Sequence, residues 1–184
     1  MIYESYPWKQ DLLRRKRLFI TYNTYDHFQK DEERTFTVLE KSIFYSAFII
    51  RKLIECRDKT SDEADKYKIE VEKRIPSQSI NLLHRWSDEN ICNWNQVQKE
   101  ETNGKDICNW LIHSYIFFFS QKEDEMVDGF FVSSDYDRNK AIYFVDINNW
   151  LNYMDFIGND DICYTKMKYD KKKQDFRIIL KGRF

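Results

Sequence analysis

With 30 basic and 31 acidic residues among 184, the chain has a formal charge of −1, so no overall field draws it to a polyanion and nucleic-acid contacts would have to come from a local patch. This length suits one domain, or one domain with an appended subdomain, and the 14 Phe, 12 Tyr and 5 Trp make rings the main material of its core. Only four glycines and two prolines are present, which excludes collagen-like and low-complexity architectures.

The N-terminal run MIYESYPWKQ lacks a basic segment followed by an apolar one and does not resemble a secretory signal. The longest nearly uncharged apolar stretch, Trp110 to Ser120, is too short to span a bilayer. A cytoplasmic protein with no membrane partner is expected.

Pro7 suits the first turn of a helix, where its missing N–H is no loss. Trp8, Leu12, Leu13, Leu18 and Phe19 continue that helix as a ragged stripe. Its basic cluster Arg14, Arg15, Lys16, Arg17 reads as a solvated face, or more sharply as a phosphate contact. From Asp31 to Cys56, apolar residues recur at three- and four-residue spacing, with acids at the start and Arg51 and Lys52 near the end. This pattern predicts a long core helix whose charges match its dipole.

Lys59 to Asp65 breaks the pattern, and alternation in YKIEVEK fits a half-exposed strand, with a helix opening at Ser61 as the competing reading. Pro76 and Ser77 precede Ile80 to Trp86, a short helical or extended segment, and Asp88 to Thr102 is polar and carries no clear pattern. Asn103 and Gly104 mark a turn, after which Asp106 caps a helix expected to run through Phe119, apolar nearly all round and hence central. Beyond residue 125, Gly129–Ser133, Ala141–Asp146, Ile162–Tyr169 and Asp175–Leu180 have strand composition. Asp135–Asn139 and Asp170–Gln174 would turn them into two hairpins, and Asn148–Ile157 reads as a short amphipathic helix stopped by Gly158. The expected fold is α+β: a helical part over 1–122 forming a bundle, and a small antiparallel sheet carrying a short helix over 123–184.

Reactive groups are scarce. There are three histidines, His27, His84 and His113, and no phosphate-binding glycine loop, zincin helix or nucleophile elbow. The four cysteines include no C-x-x-C pair and are expected reduced. Cys108 and His113 are too few to make a zinc signature, so no metal or cofactor is expected. Cys108 as a nucleophile beside His113 is also unfavourable, because five residues along a helix turn the two apart by about 500°. Acid clusters such as Asp31–Glu33, Glu123–Glu125 and Asp160 with Asp161 read as solvated charge.

The exception is Cys108-Asn109-Trp110-Leu111-Ile112-His113. On a helix, Asn109 and His113 share a face and project an amide and an imidazole from apolar surroundings. Either they satisfy one another inside the core, or they are used. A helix with Asn and His four apart, packed on a long preceding helix, resembles the HEPN superfamily over about residues 31–120. In that family an Arg, often followed by a polar residue, precedes the His, and here Cys108 stands at the Arg position. The resemblance implies a metal-independent ribonuclease or its non-catalytic descendant, with dimerisation through the motif helix and a role in prokaryotic defence or toxin–antitoxin systems.

Under the catalytic reading, His113 is general acid or base, Asn109 orients the phosphate, and Arg14, Arg15 or Arg51 contacts the RNA backbone. Arg51 or Arg85 would have to replace the missing cation. Under the favoured reading the chain is a binding and assembly module, forming a homodimer and meeting a protein partner through the C-terminal sheet. Trp150, Tyr153 and Phe156 would either face that partner or form the core side of their helix.

Overall fold

The computed structural model describes residues 2–83, 90–123 and 125–183. The first helix, α1 (Ser5–Tyr22), is followed by the short α2 (Tyr25–Lys30) and by α3 (Glu32–Glu55), the long helix predicted from spacing. Asp31 caps α3 by accepting the Arg34 N–H at 3.0 Å, and Leu39, Ile43, Ala47, Ile50 and Leu53 form a fully buried stripe along it. Helix α1 packs along α3, with Trp8 against Phe48 and Arg15 over the ring of Tyr45.

Both readings of the next segment hold in succession. Ser61 caps a single-turn helix, α4 (Asp62–Asp65), accepting the Ala64 N–H, and the alternating run then forms β1 (Lys68–Arg74). The polar stretch that carried no pattern ends in β2 (Gln98–Asn103), an edge strand paired antiparallel with β1. Asn103 and Gly104 lead into α5 (Gly104–Ile112), after which come β3 (Ser114–Gln121), β4 (Val127–Ser134) and β5 (Ile142–Asp146). Asp146 caps α6 (Ile147–Gly158) through the Asn148 and Asn149 N–H groups, and a final hairpin joins β6 (Tyr164–Asp170) to β7 (Asp175–Gly182).

The fold remains α+β, but the expectation of a helical bundle followed by a small C-terminal sheet is overturned. Five antiparallel strands in the order β2-β1-β5-β4-β3 form the main sheet, and β6-β7 is a separate two-stranded ribbon. Three of the five strands precede residue 123. The apolar run expected to be one helix through Phe119 is a helix that stops at Ile112 and a strand that starts at Ser114. The reason lies in burial on both faces of β3. Phe117 and Phe119 meet the helices, whereas Ile116 and Phe118 meet the opposite layer, so the strand shows no polar alternation and resembles a buried helix in sequence.

The helices cover one face of the sheet. Ile69 and Val71 of β1, Phe130 and Val132 of β4 and Val145 of β5 join the residues of α1, α3, α5 and α6 in one core. The other face is covered by the connection between β1 and β2, through Ile80, Ile91, Cys92 and Trp94 packed on Ile116, Phe118, Phe131 and Ile142. Ser77 N–H donates to the Ile91 carbonyl at 2.8 Å and Ile80 N–H to the Asn139 side chain at 2.8 Å, holding this cover in place. The predicted segment Ile80–Trp86 lies partly outside the described residues, as do His84 and Arg85.

The alternatives for α6 resolve toward the core. Trp150 and Tyr153 are fully buried and Phe156 half-buried against Tyr67, so this stripe faces inward. No helix of the described chain is long and apolar enough to cross a membrane.

Candidate cleft between α5 and the sheet edge

Helix α5 is amphipathic, with one apolar face and one polar and aromatic face. Ile107, Cys108 and Leu111 are buried, while Asp106, Asn109, Trp110 and His113 recur at i, i+3, i+4 and i+7 and share the other face. That face borders a cleft of about 590 Å³ whose other walls are Arg51 of α3, Glu100 and Thr102 of β2, Tyr143 of β5, and Ser134, Tyr136 and Asp137 at the β4–β5 turn.

His113 is not mid-helix. It is the C-cap of α5, exposed, with its N–H on the Asn109 carbonyl and its own carbonyl accepting the Asp135 N–H, each at 3.0 Å. These two bonds set the imidazole at the rim of the cleft, between the helix end and the β4–β5 turn. The half-buried Asn109 makes no side-chain hydrogen bond with His113 among the described residues, and its Oδ1 is buried without a donor. A buried carbonyl oxygen of this kind is costly to leave unpaired, typically about 1–3 kcal/mol.

The floor of the cleft is aromatic. Trp110 and Tyr143 stack face to face, with centroids 3.8 Å apart and planes within 5°. Burial, and then the negative charges of Glu100, Asp137 and Asp106, push the Tyr143 hydroxyl up to about 12, so it remains a protonated donor at physiological pH. The three carboxylates have partial partners. Glu100 lies 3.6 Å from Lys73, Asp106 accepts from the Asn103 amide at 3.3 Å, and Asp137 accepts the Ser134 hydroxyl at 2.9 Å with Lys140 at 3.5 Å.

Of the expected phosphate contacts, only Arg51 reaches this cleft. Its Nε donates to Glu55 at 2.8 Å, and the bonds from Lys52 and Arg51 hold the Glu55 carboxyl below its usual range. Arg14 is exposed on α1, and Arg15 pairs loosely with Asp11 at 3.7 Å and covers Tyr45. Neither lines the cleft. The structure thus brings Arg51, Asn109 and His113 into one cavity and leaves Arg14 and Arg15 outside it.

Cys108 is fully buried, and burial pushes its thiol far above the ordinary range, whereas His113 is exposed. With a disulfide-exchange reagent such as Ellman's, native protein is expected to show one fast thiol, the exposed Cys163, and a slower Cys56. Cys92 and Cys108 should react only on unfolding. A fast Cys108 would reopen a thiolate role for that residue.

Glu100, Thr102, Asp106, Trp110, Tyr136, Asp137 and Tyr143 were not singled out from the sequence as site residues. The α5 spacing could have revealed Asp106 and Trp110. The strand and turn residues join the cleft only through the order of strands, which no local pattern encodes. No family model, curated protein or solved structure matches the chain in comparisons of sequence and fold.

Proposed function

We infer that the chain is a non-catalytic binding and assembly module whose cleft takes a positively charged, N–H-donating group of a partner, such as an arginine or lysine side chain. The observation that carries this reading is the lining itself: Glu100, Asp106 and Asp137 set around the rings of Trp110, Tyr136 and Tyr143. Carboxylates make charge-assisted hydrogen bonds to guanidinium or ammonium groups, and the Tyr136 ring already carries such a group, the Lys140 ammonium 3.4 Å from its centre, which a partner's cation would displace or join. The unpaired Asn109 Oδ1 is one acceptor available to such a donor. An anionic ligand meets three carboxylates and a single arginine already engaged by Glu55. The four free cysteines fit a reducing compartment, the cytoplasm.

Calorimetric titration with N-acetyl-arginine methylamide, its lysine counterpart and uridine monophosphate tests the reading. The arginine probe is expected to bind, and Asp106→Asn with Asp137→Asn to weaken it about tenfold or more, as loss of charge-assisted bonds implies. Binding of the nucleotide alone would overturn it.

A second reading rests on a different observation, the convergence of Arg51, Asn109 and His113 in one cavity. With Arg51 in place of the cation missing at Cys108, the arrangement fits the HEPN resemblance: a metal-independent ribonuclease of a defence or toxin–antitoxin system, with His113 moving the proton. Cleavage of a mixed RNA pool in EDTA, abolished by His113→Ala and by Arg51→Ala in folded protein, would favour this reading over the module. Inert wild type would remove it. Sedimentation of the same samples reports whether the chain is a homodimer.

A further inference from the structure

The ribbon β6–β7 pairs with neither edge of the main sheet. Its base is pinned to the body. The nearly buried Lys181 pairs with Asp65 at 3.1 Å, its N–H donates to Asp62 at 3.3 Å, and Cys163 N–H donates to the Gly182 carbonyl at 2.9 Å. Away from that base, residues 164–169, 171–177 and 179–180 are all exposed, so the ribbon is an arm wetted on both sides. A lone two-stranded ribbon is marginal in water, and this one survives by its anchored base rather than by a core of its own.

Its chemistry is segregated. Cross-strand pairing places Tyr169 opposite Phe176 and Met167 opposite Ile178, on one side of the ribbon, and Lys168 opposite Arg177 on the other. The Tyr169 and Phe176 rings meet edge to face at 5.3 Å yet remain 49% and 64% exposed, so each keeps a free face. Over residues 166–177 six basic residues face two acidic ones, in a chain whose total charge is −1. Among the described residues none of the six is ion-paired. Both acids are occupied by the turn, with Asp170 accepting the Lys172 and Lys173 N–H groups and Asp175 accepting its neighbour's. Lys168, Lys171, Lys172 and Arg177 also converge on a hollow of about 340 Å³ beside Tyr169 and Asp170.

We propose that the arm binds single-stranded nucleic acid, with the hollow and the flanking lysines holding phosphates and Tyr169 and Phe176 stacking bases. The ribbon carries rings on one side and unpaired cations on the other side and at the turn, the two meeting at the hollow beside Tyr169. A single strand uses both, because every base offers a face to stack and every phosphate a charge to neutralise. An anionic membrane fits less well. Insertion calls for rings at the distal end, and here that end is Lys171-Lys172-Lys173-Gln174 while the rings lie along the side. The arm shares no residue with the α5 cleft, so the proposal stands independently of the cation-binding reading.

Fluorescence anisotropy of the full chain with labelled twelve-nucleotide oligo(U) and oligo(dT) is the test. For four phosphate contacts, raising salt from about 50 to about 200 mM should weaken binding about fiftyfold. Tyr169→Ala with Phe176→Ala should weaken it about tenfold or more at constant salt. Lys168→Ala with Arg177→Ala should weaken it and flatten the salt dependence. These side chains are exposed, so unchanged thermal melts separate lost binding from lost fold. Asn152→Ala, on the exposed side of α6 and outside both the arm and the cleft, serves as a variant that leaves oligonucleotide binding intact. Affinity unchanged in both arm variants overturns the proposal. So does binding to phosphatidylserine vesicles, lost in the same variants, with no binding to either oligonucleotide.

Discussion

Replacing Trp150 with alanine is expected to lower the unfolding free energy by about 3–5 kcal/mol, the usual cost of truncating a large buried aromatic side chain. The indole is fully buried where α6 meets α3 and β4. It sits edge to face against Phe130 at 6.0 Å and against Tyr153 at 5.7 Å, and its Nε1 donates to the Ser46 hydroxyl at 3.1 Å. Ser46 in turn donates to the Ile43 carbonyl at 2.6 Å, so the acceptor is oriented by the helix that carries it. Alanine would leave a void between three elements that cannot close without moving one of them. Urea unfolding should show a lower midpoint at an unchanged slope, while Asn152→Ala on the exposed side of the same helix should stay within about 0.5 kcal/mol of wild type. A loss under about 1 kcal/mol at Trp150 would mean that the layers repack and that the indole is not a keystone of the core.

The next largest effect is expected at Asp160, a fully buried carboxylate just beyond α6. It accepts the Ser61 N–H at 2.7 Å and faces Arg183 at 3.9 Å, while its backbone carbonyl receives the buried Lys9 ammonium. One residue therefore ties α1, the cap of α4 and the C-terminal segment together. Asp160→Ala leaves a buried N–H without an acceptor and Arg183 without its counter-charge, an expected loss of about 3 kcal/mol. Asp160→Asn keeps an oxygen for Ser61 and should cost about 1 kcal/mol. Chemical denaturation of the two variants checks the order. The reverse order, with alanine the milder change, would mean that burying the carboxylate costs more than its contacts return.

Local signals proved legible where one face of an element is wet. Helix α3 was bounded to within a residue, because its apolar stripe, its Asp31 cap and its terminal charges agree. Helix α6 carries an equally plain stripe, whereas β4 to β7 were legible from strand composition bounded by turn residues, although β4 is buried on both faces and most of the β6–β7 ribbon on neither. What failed was the sheet as a whole. β2 is a polar edge strand, QKEETN, whose only apolar help is the neighbour it pairs with, and β3 is buried on both faces, so one read as unpatterned and the other as helix. The candidate site was half visible for the same reason. Asn109 and His113 announce themselves as polar groups on an apolar helix, but Glu100, Asp137 and Tyr143 become their neighbours only once β2, β5 and the β4–β5 turn are brought together.

The two ends of the main sheet are chemically unlike. β2 closes one end with Lys99, Glu100 and Glu101, charges that repel or mispair with any further strand laid against it. β3 closes the other with SYIFFFSQ, which has no charge, no proline and three consecutive phenylalanines. In the folded protein both faces of those rings are covered, but in a chain still folding the segment is a short, uncharged, β-prone template. Aggregation during synthesis or refolding should therefore start at β3, and a lysine on its outer edge would act as a gatekeeper where the natural sequence has none.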